Sequence, residues 1–180
     1  TAILLLAAEG RVGLDDPVSG VLPSFGDREK AVVTLRHLLT HSAGLKPWRA
    51  FHEELRERER KSFEPLVQTP AGREWILDRV VRSALVHDLA EAAVYGDLDF
   101  IALGAVVEEV SGQRLDAFCQ ERIFGPLGMT ETRFEPLPDD GSPHQPDPAW
   151  QRRTAANENC PWRQRIVWGE VYDPNASAMG

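Results

Sequence analysis

The sequence predicts a mainly helical fold with few β-strands. Two segments, 70–84 and 97–111, carry apolar residues at the three- and four-residue spacing of an amphipathic helix. Residues 165–171 are the one short strand candidate, which is too little for a sheet within this chain. These observations indicate a helical layer rather than a sheet-based core.

Composition limits the class of protein. A length of 180 residues corresponds to about one domain. The chain is 42% hydrophobic and 27% charged, which suits a folded core and excludes intrinsic disorder. The apolar run 2–8 is far shorter than the roughly 20 residues of a membrane span. A net charge of −8 argues against nucleic acid as a partner, and Cys119 and Cys160 alone neither form a disulfide framework nor reveal the redox compartment.

Three helices are predicted in the first third of the chain. Residues 1–9 form the first and end at Gly10, where glycine accepts a left-handed conformation. Residues 33–40 form a short helix closed by Ser-Ala-Gly at 42–44. The run 51–61 carries opposite charges at helical spacing and is interpreted as a solvated helix face.

The central helices have clear start and stop signals. Thr69 is placed to cap a helix with Pro70 in its first turn. The next helix spans 97–111 and ends at Gly112, and a third spans 115–124 before the Pro/Gly turn at 125–129. The helix that starts after Thr69 has an apolar stripe of Trp75, Ile76, Val80 and Ala84. The helix over 97–111 has two adjoining rows, which are Leu98, Ile101 and Ala105, and Ala102, Val106 and Glu109.

Segment 135–148 differs in composition from its surroundings. It contains five prolines and several aspartates, and is predicted to be a surface loop. The chain also begins at Thr1 inside an apolar helix without a basic region before it, so a signal peptide is not predicted. We expect residues 1–180 to be part of a larger domain, and this leaves the localisation open.

Most familiar catalytic motifs are missing from the sequence. His37 and His41 are spaced like metal ligands on a helix, but Leu38 stands where zinc proteases have a Glu, and no third ligand is marked nearby. No G-x-S-x-G elbow, phosphate loop, C-x-x-C or S-x-x-K occurs. Composition and spacing alone therefore give no complete catalytic set and imply no cofactor.

Five segments taken together resemble the serine β-lactamase and penicillin-binding protein family, in its class C-like and esterase-like branches. LLTHSAGL at 38–45 is similar to the family's LLTHTSGL segment, and YGDLDFIALG at 95–104 to its YSNLGFILLG segment. The remaining matches, in the family's order, are GRVGLDDPV at 10–18, IFGPLGM at 123–129 and GEVYDPNA at 169–176. The resemblance implies the mainly helical part of an α+β β-lactamase/transpeptidase-like fold.

The resemblance also implies a chemistry. In that family a serine of an S-x-x-K motif attacks an ester, amide or lactam carbonyl and forms an acyl-enzyme, and a lysine and a tyrosine share the task of base. Tyr95 matches the tyrosine, and Asp97 matches the asparagine that hydrogen-bonds the lysine and the substrate. The S-x-x-K segment and the later K/H-T-G strand are expected upstream and downstream of residues 1–180.

This sequence departs from the family pattern at several positions. Asp97 replaces Asn, Gly96 replaces Ser, and Tyr172 stands where one branch has His. Asp97 is also placed to cap the following helix. Trp48 either lines the substrate cleft or packs internally. The alternative interpretation of Tyr95 is an ordinary half-buried tyrosine.

The hypothesis is that the parent protein is a serine hydrolase of a small acyl substrate, namely a β-lactam, an ester or a D-alanyl peptide. The chain by itself is expected to be inactive. One alternative is a non-catalytic member of the fold that binds cell-wall peptides or another ligand. A more distant alternative is a metal-dependent hydrolase that uses His37 and His41.

Overall fold

The computed structural model describes residues 1–26, 28–134 and 148–180. They fall into two compact units. The first contains Thr1–Arg49 and Leu77–Phe134, and the second contains Ala50–Ile76 with the described residues of 135–180. Both units are mainly helical, and the described residues contain two short strands. The predicted mainly helical fold is confirmed.

The first unit is built around one long helix. Helix α1 spans Ala2–Ala8 and helix α2 spans Leu35–Leu39, and both pack on helix α5, which spans Asp97–Ser111. The unit's core contains buried aliphatic and aromatic side chains from these three helices and from neighbouring segments: Ile3, Leu6, Val18, Phe25, Val33, Leu35, Leu38, Leu98, Ala102, Val106 and Phe118. The long helix is therefore the framework that fixes the position of the loop before it.

Helix α5 has the bounds that the sequence predicts. It begins at Asp97 and ends at Ser111, and Gly112 adopts φ +71° to terminate it. Its buried face differs from the predicted rows. Ile101 and Ala105 are only partly buried and Glu109 is exposed, whereas the buried stripe is Leu98, Asp99, Ala102, Leu103, Val106 and Val107. The stripe contains one carboxylate, Asp99, that the prediction omitted.

The other helix ends were predicted with mixed success. Helix α6 spans Leu115–Cys119 and continues as a π-helical turn over Gln120–Phe124, so the predicted helix is confirmed but its last turn is wider than an α-helix. Helix α4 spans Pro70–Val81, and the Thr69 hydroxyl accepts a hydrogen bond from the Gly72 amide, as predicted. The helix ends before Ala84, which is exposed, so including Ala84 in the stripe was wrong.

The second unit combines helices with a two-stranded sheet. Helix α3 spans Phe51–Ser62; Phe51, His52 and Leu55 are buried, and its remaining residues carry most of the predicted charges. Strand β1 spans Ala156–Cys160 and pairs antiparallel with strand β2, Arg165–Trp168. Strand β2 lies within the predicted 165–171, but β1 was not predicted because its sequence, Ala-Asn-Glu-Asn-Cys, has weak strand propensity.

Two short helices complete the second unit. Helix α7 spans Pro148–Gln151, so Pro148 begins a helix and does not belong to the predicted surface loop. The rest of that loop, 135–147, lies outside the described residues. Helix α8 spans Pro174–Met179. No helix of the described residues is both long and apolar enough to cross a bilayer.

Candidate active-site loop

The loop that carries Tyr95 is anchored to an earlier segment of the first unit. Main-chain amides of the loop donate to carbonyl oxygens of residues 41–47 at four places. The pairs are Val86 to Gly44, Ala90 to Ser42, Val94 to His41 and Asp97 to Pro47, with N···O distances of 2.8, 2.9, 2.8 and 2.8 Å, and the His87 amide shares the Gly44 carbonyl at 3.3 Å. The two segments that most resemble the family motifs are therefore held together by backbone hydrogen bonds, although about fifty residues of sequence separate them.

Gly44 allows this close approach. Its φ is +78°, a region that disfavours side chains, and a Cβ at this position would lie 2.3 Å from the carbonyl oxygen of His87. The glycine of the 38–45 segment is thus required both by its backbone conformation and by its neighbour. The close approach of the Tyr95 loop to residues 41–47 therefore depends on Gly44.

Tyr95 presents its side chain to solvent directly before α5. The side chain is 79% exposed. Its ring lies against the imidazole of His41 with 4.8 Å between the ring centroids and an interplanar angle of 54°. The interpretation of Tyr95 as a half-buried tyrosine is therefore wrong, because this phenol is one of the most exposed aromatic groups among the described residues.

Asp97 occupies the first position of α5 and is not its cap. Gly96 is the N-cap, in an extended conformation, and no side chain caps the helix by a hydrogen bond. The expectation that Asp97 caps the helix is wrong, because the Asp97 amide already donates to Pro47 and the residue itself has helical geometry. A carboxylate in the first turn is nevertheless favoured by the helix dipole.

Trp48 follows Pro47, the residue whose carbonyl holds the Asp97 amide. Its side chain is 45% exposed, so it is not a core residue of the first unit. Trp48 and Tyr95 thus both present aromatic surface on segments joined by the same hydrogen bond. A role for Trp48 in lining a substrate site stays a prediction.

His41 and Asp99 form a pair that the sequence analysis did not identify. His41 Nδ1 lies 2.9 Å from Asp99 Oδ2, and the Asp99 side chain is buried. Burial raises the pKa of the Asp99 carboxyl, and the hydrogen bond from His41 opposes this rise. A carboxylate at helical spacing from the buried Ala102, Leu103 and Val106 was the available signal.

The two histidines considered as metal ligands have different partners. His37 Nδ1 accepts a hydrogen bond from the Thr34 amide at 3.1 Å, and the Thr34 hydroxyl caps α2 in return. His41 instead faces Asp99. The described residues contain no group of three or more His, Cys, Asp or Glu side chains that could hold a metal ion.

The segment 169–176 lies in the second unit. Asp173 caps α8 by accepting a hydrogen bond from the Ala176 amide at 2.6 Å. The fully buried Asn175 accepts a hydrogen bond from the His52 amide at 3.1 Å. Tyr172 is 56% exposed. Asp173 and Asn175 therefore organise the segment, and Tyr172 is its exposed side chain.

The helical framework and the tyrosine loop define the class of fold as that of the β-lactamases and penicillin-binding proteins. A family model described as "Beta-lactamase" matches residues 1–172. The chain belongs to this family, which is hydrolytic.

Known relatives agree with this assignment. The chain is 29% identical over 189 aligned residues to an Escherichia coli (strain K12) protein named "Putative D-alanyl-D-alanine carboxypeptidase", covering 97% of this chain and 41% of that protein. A penicillin-binding protein homologue of Pyrococcus abyssi, described as octameric, is 30% identical with a TM-score of 0.55, covering 72% of this chain and 29% of its own. EstCE1, described as a hydrolase with promiscuous acyltransferase activity, is 28% identical with a TM-score of 0.51, and the match covers 71% of this chain and 34% of EstCE1.

The chain spans about 41% of the length of the curated relatives it matches. The resemblance in sequence thus extends over nearly all of this chain but less than half of those proteins.

Proposed function

We propose that the protein is a serine acyl hydrolase in which this chain provides the tyrosine that moves the proton. The observation that supports the proposal is the placement of Tyr95. Its phenol is exposed, and the loop beneath it is fixed by five backbone hydrogen bonds to residues 41–47. A group that transfers protons to a substrate must be both accessible and held in place.

The proposed reaction needs a nucleophile from outside these 180 residues. A serine hydroxyl of an S-x-x-K motif attacks the carbonyl carbon of an ester, amide or β-lactam and releases the leaving group as an acyl-enzyme forms. Tyr95 and the motif's lysine share the transfer of the hydroxyl proton to the leaving group. Water then hydrolyses the acyl-enzyme, with the same groups moving the proton in reverse.

Asp97 and Trp48 have supporting roles in this proposal. Asp97 lies two residues after Tyr95 at the start of α5, and its carboxylate is suited to accept a hydrogen bond from the lysine ammonium. An aspartate cannot donate to a substrate carbonyl as an asparagine amide does. The exposed indole of Trp48 offers apolar surface to the substrate beside the same loop.

The proposed substrates are small acyl compounds. The descriptions of the relatives include "Putative D-alanyl-D-alanine carboxypeptidase", a penicillin-binding protein homologue and a hydrolase with promiscuous acyltransferase activity. D-alanyl-D-alanine, penicillin and the substrates of acyl transfer all contain an acyl carbonyl. A D-alanyl peptide, a β-lactam and a simple ester therefore form the test set.

The test uses the full-length product of the gene and, separately, residues 1–180. Each is incubated with a chromogenic cephalosporin, p-nitrophenyl acetate and a D-alanyl-D-alanine peptide, and the intact mass is measured for an acyl adduct. We expect an adduct and turnover with the full-length product and neither with residues 1–180. Turnover with a stable adduct on residues 1–180 would contradict the need for an outside serine.

A non-catalytic binding protein of the same fold is the second candidate. It is favoured by the Asp in place of Asn at position 97, because a carboxylate cannot donate a hydrogen bond to a substrate carbonyl. If the full-length product forms no adduct but binds a D-alanyl peptide in calorimetry, the binding function replaces the catalytic one.

A further inference from the structure

A buried carboxyl group lies beneath the Tyr95 loop. Asp99 is 4% exposed and belongs to the apolar stripe of α5. Its Oδ2 contacts His41 Nδ1 at 2.9 Å, and its Oδ1 has no hydrogen-bonding partner among the described residues. A carboxyl group in such a position is costly unless it is paired. The hydrogen bond to His41 is therefore the interaction that makes Asp99 tolerable there.

The imidazole of His41 is held from three directions. Its Nδ1 faces Asp99, one ring contact is with Tyr95, and the other is a stacked contact with Phe100 at 5.0 Å between centroids and 24° between planes. The backbone of His41 is in the left-handed region at φ 55°, and its carbonyl accepts the Val94 amide. Non-glycine residues adopt this conformation rarely. The ring thus sits on a rigid backbone directly beside the phenol.

We propose that His41 and Asp99 are positioning residues for Tyr95, with the carboxyl fixing the imidazole ring and the imidazole ring fixing the phenol against it. This inference rests on the proposed function of Tyr95. The Tyr95 side chain is 79% exposed and therefore has few other contacts that could fix its orientation. The His41 ring gives it one preferred partner, since offset and tilted aromatic pairs at this separation are favourable.

The hydrogen bond to Asp99 determines the orientation of the His41 imidazole. A ring nitrogen that donates to a carboxylate cannot also accept from the Gly96 amide, which lies 3.4 Å from the same Nδ1. The 2.9 Å contact is the shorter of the two, so Asp99 orients the ring and Gly96 lies beside it. Replacing the carboxyl with an apolar group would leave the ring free to turn toward Gly96 or toward solvent.

A simpler role for the pair is to stabilise the core without affecting Tyr95. Substitutions at position 99 separate the two roles. Asp99→Asn keeps an acceptor oxygen for Nδ1 at nearly the same shape, whereas Asp99→Leu suits the apolar stripe but offers no acceptor. A purely structural pair predicts that Tyr95 keeps its orientation in both variants if both fold.

The test measures the orientation of Tyr95 by NMR in residues 1–180. The chain has two tyrosines, Tyr95 and Tyr172. A Tyr172→Phe background therefore leaves one tyrosine spectrum, which belongs to Tyr95. We expect nuclear Overhauser contacts between the His41 and Tyr95 rings and a single χ1 rotamer, both retained in Asp99→Asn. In Asp99→Leu we expect the contacts to weaken severalfold and the χ1 couplings to average.

Two NMR results would overturn the inference. One is the absence of His41–Tyr95 ring contacts in the parent background. The other is a folded Asp99→Leu variant in which the contacts and couplings are unchanged. If Asp99→Leu does not fold, the double variant His41→Leu/Asp99→Leu, which removes the ring together with the carboxyl, takes its place. An unchanged Tyr95 rotamer in that variant would contradict the inference equally.

Activity of the full-length product provides the second measurement. For a positioning role, Asp99→Leu should lower kcat about 10–100-fold, as expected for loss of a supporting hydrogen bond. KM should change by less than about threefold, since substrate contacts are retained. If all variants and the parent lack activity, the proposed function fails while the NMR result still decides the positioning role. If Tyr95→Phe abolishes activity but Asp99→Leu does not, the positioning role fails alone.

Discussion

Gly96 and Pro47 are in such close contact that a side chain at position 96 has no space. A Cβ built on Gly96 would lie 2.6 Å from the Pro47 Cα and 2.7 Å from its carbonyl oxygen. The same carbonyl accepts the amide of Asp97 at 2.8 Å. Gly96, which replaces the family's serine, is therefore the residue at which the Tyr95 loop packs directly on the segment before Trp48.

Gly96→Ala should displace this loop and destabilise the first unit. The backbone at Gly96 is extended, so the expected loss of about 1–3 kcal/mol in the free energy of unfolding comes from the clash alone. Urea unfolding followed by circular dichroism measures it. Gly104→Ala in α5 is the matched control, because its Cβ would meet only Leu115 at an ordinary 3.5 Å. There we expect a gain of up to about 1 kcal/mol. Equal effects at the two positions would contradict the clash.

Tyr95→Phe should abolish most of the proposed activity without affecting stability. The substitution removes one exposed hydroxyl, so the melting temperature should be unchanged within error. Loss of proton transfer should lower kcat of the full-length product about 10²–10⁴-fold. Tyr172→Phe removes the other exposed phenol and should leave kcat within a small factor. A Tyr95→Phe enzyme with the parent's kcat/KM would show that Tyr95 has no catalytic role.

Asp97→Asn should lower activity even though it restores the commoner family residue. Asp97 does not cap α5, so its carboxylate is not needed to start the helix. The loss of its charge from the first turn should cost roughly 0.3–1 kcal/mol in unfolding free energy. Loss of a charge-assisted hydrogen bond to the lysine should lower kcat by about tenfold. A rise in kcat would indicate that an amide donor to the substrate matters more than a charged acceptor.

The stability of the first unit should depend on pH through Asp99. Burial raises the pKa of this carboxyl above its ordinary value of about 3.9. The folded state therefore binds the proton more tightly than the unfolded state. This contribution to stability is fully present below about pH 4 and is lost as the pH rises through the folded-state pKa.

The measurement compares the parent chain with Asp99→Asn, which has no carboxyl to ionise. We expect the parent to lose stability relative to this variant as the pH rises above about 4 and passes through the folded-state pKa of Asp99. Urea unfolding across this range gives the difference. A difference that does not vary with pH would show that burial does not control this carboxyl.

Several elements were predictable because their signals are local. The bounds of α5 follow from apolar periodicity and from Gly112, and the start of α4 follows from Thr69 and Pro70. Such signals depend on backbone hydrogen bonds within a few residues of one another. The motif around Tyr95 was likewise recognisable from the sequence, because its residues are contiguous.

The tertiary structure decided features that depend on distant neighbours. Strand β1 has weak strand propensity and exists because β2 pairs with it. Helix α4 stops before Ala84 although the apolar period continues. The local pattern made Asp97 a cap, but the contact of its amide with Pro47 places it inside the helix.

The pair of His41 and Asp99 shows this division most clearly. The sequence determined that both residues exist and that Asp99 lies at helical spacing from an apolar stripe. Only folding brings the two together across 58 residues, by packing α2 and the loop after it on α5. A hydrogen bond between distant side chains depends on the position of two backbones in space, and no local propensity encodes that position.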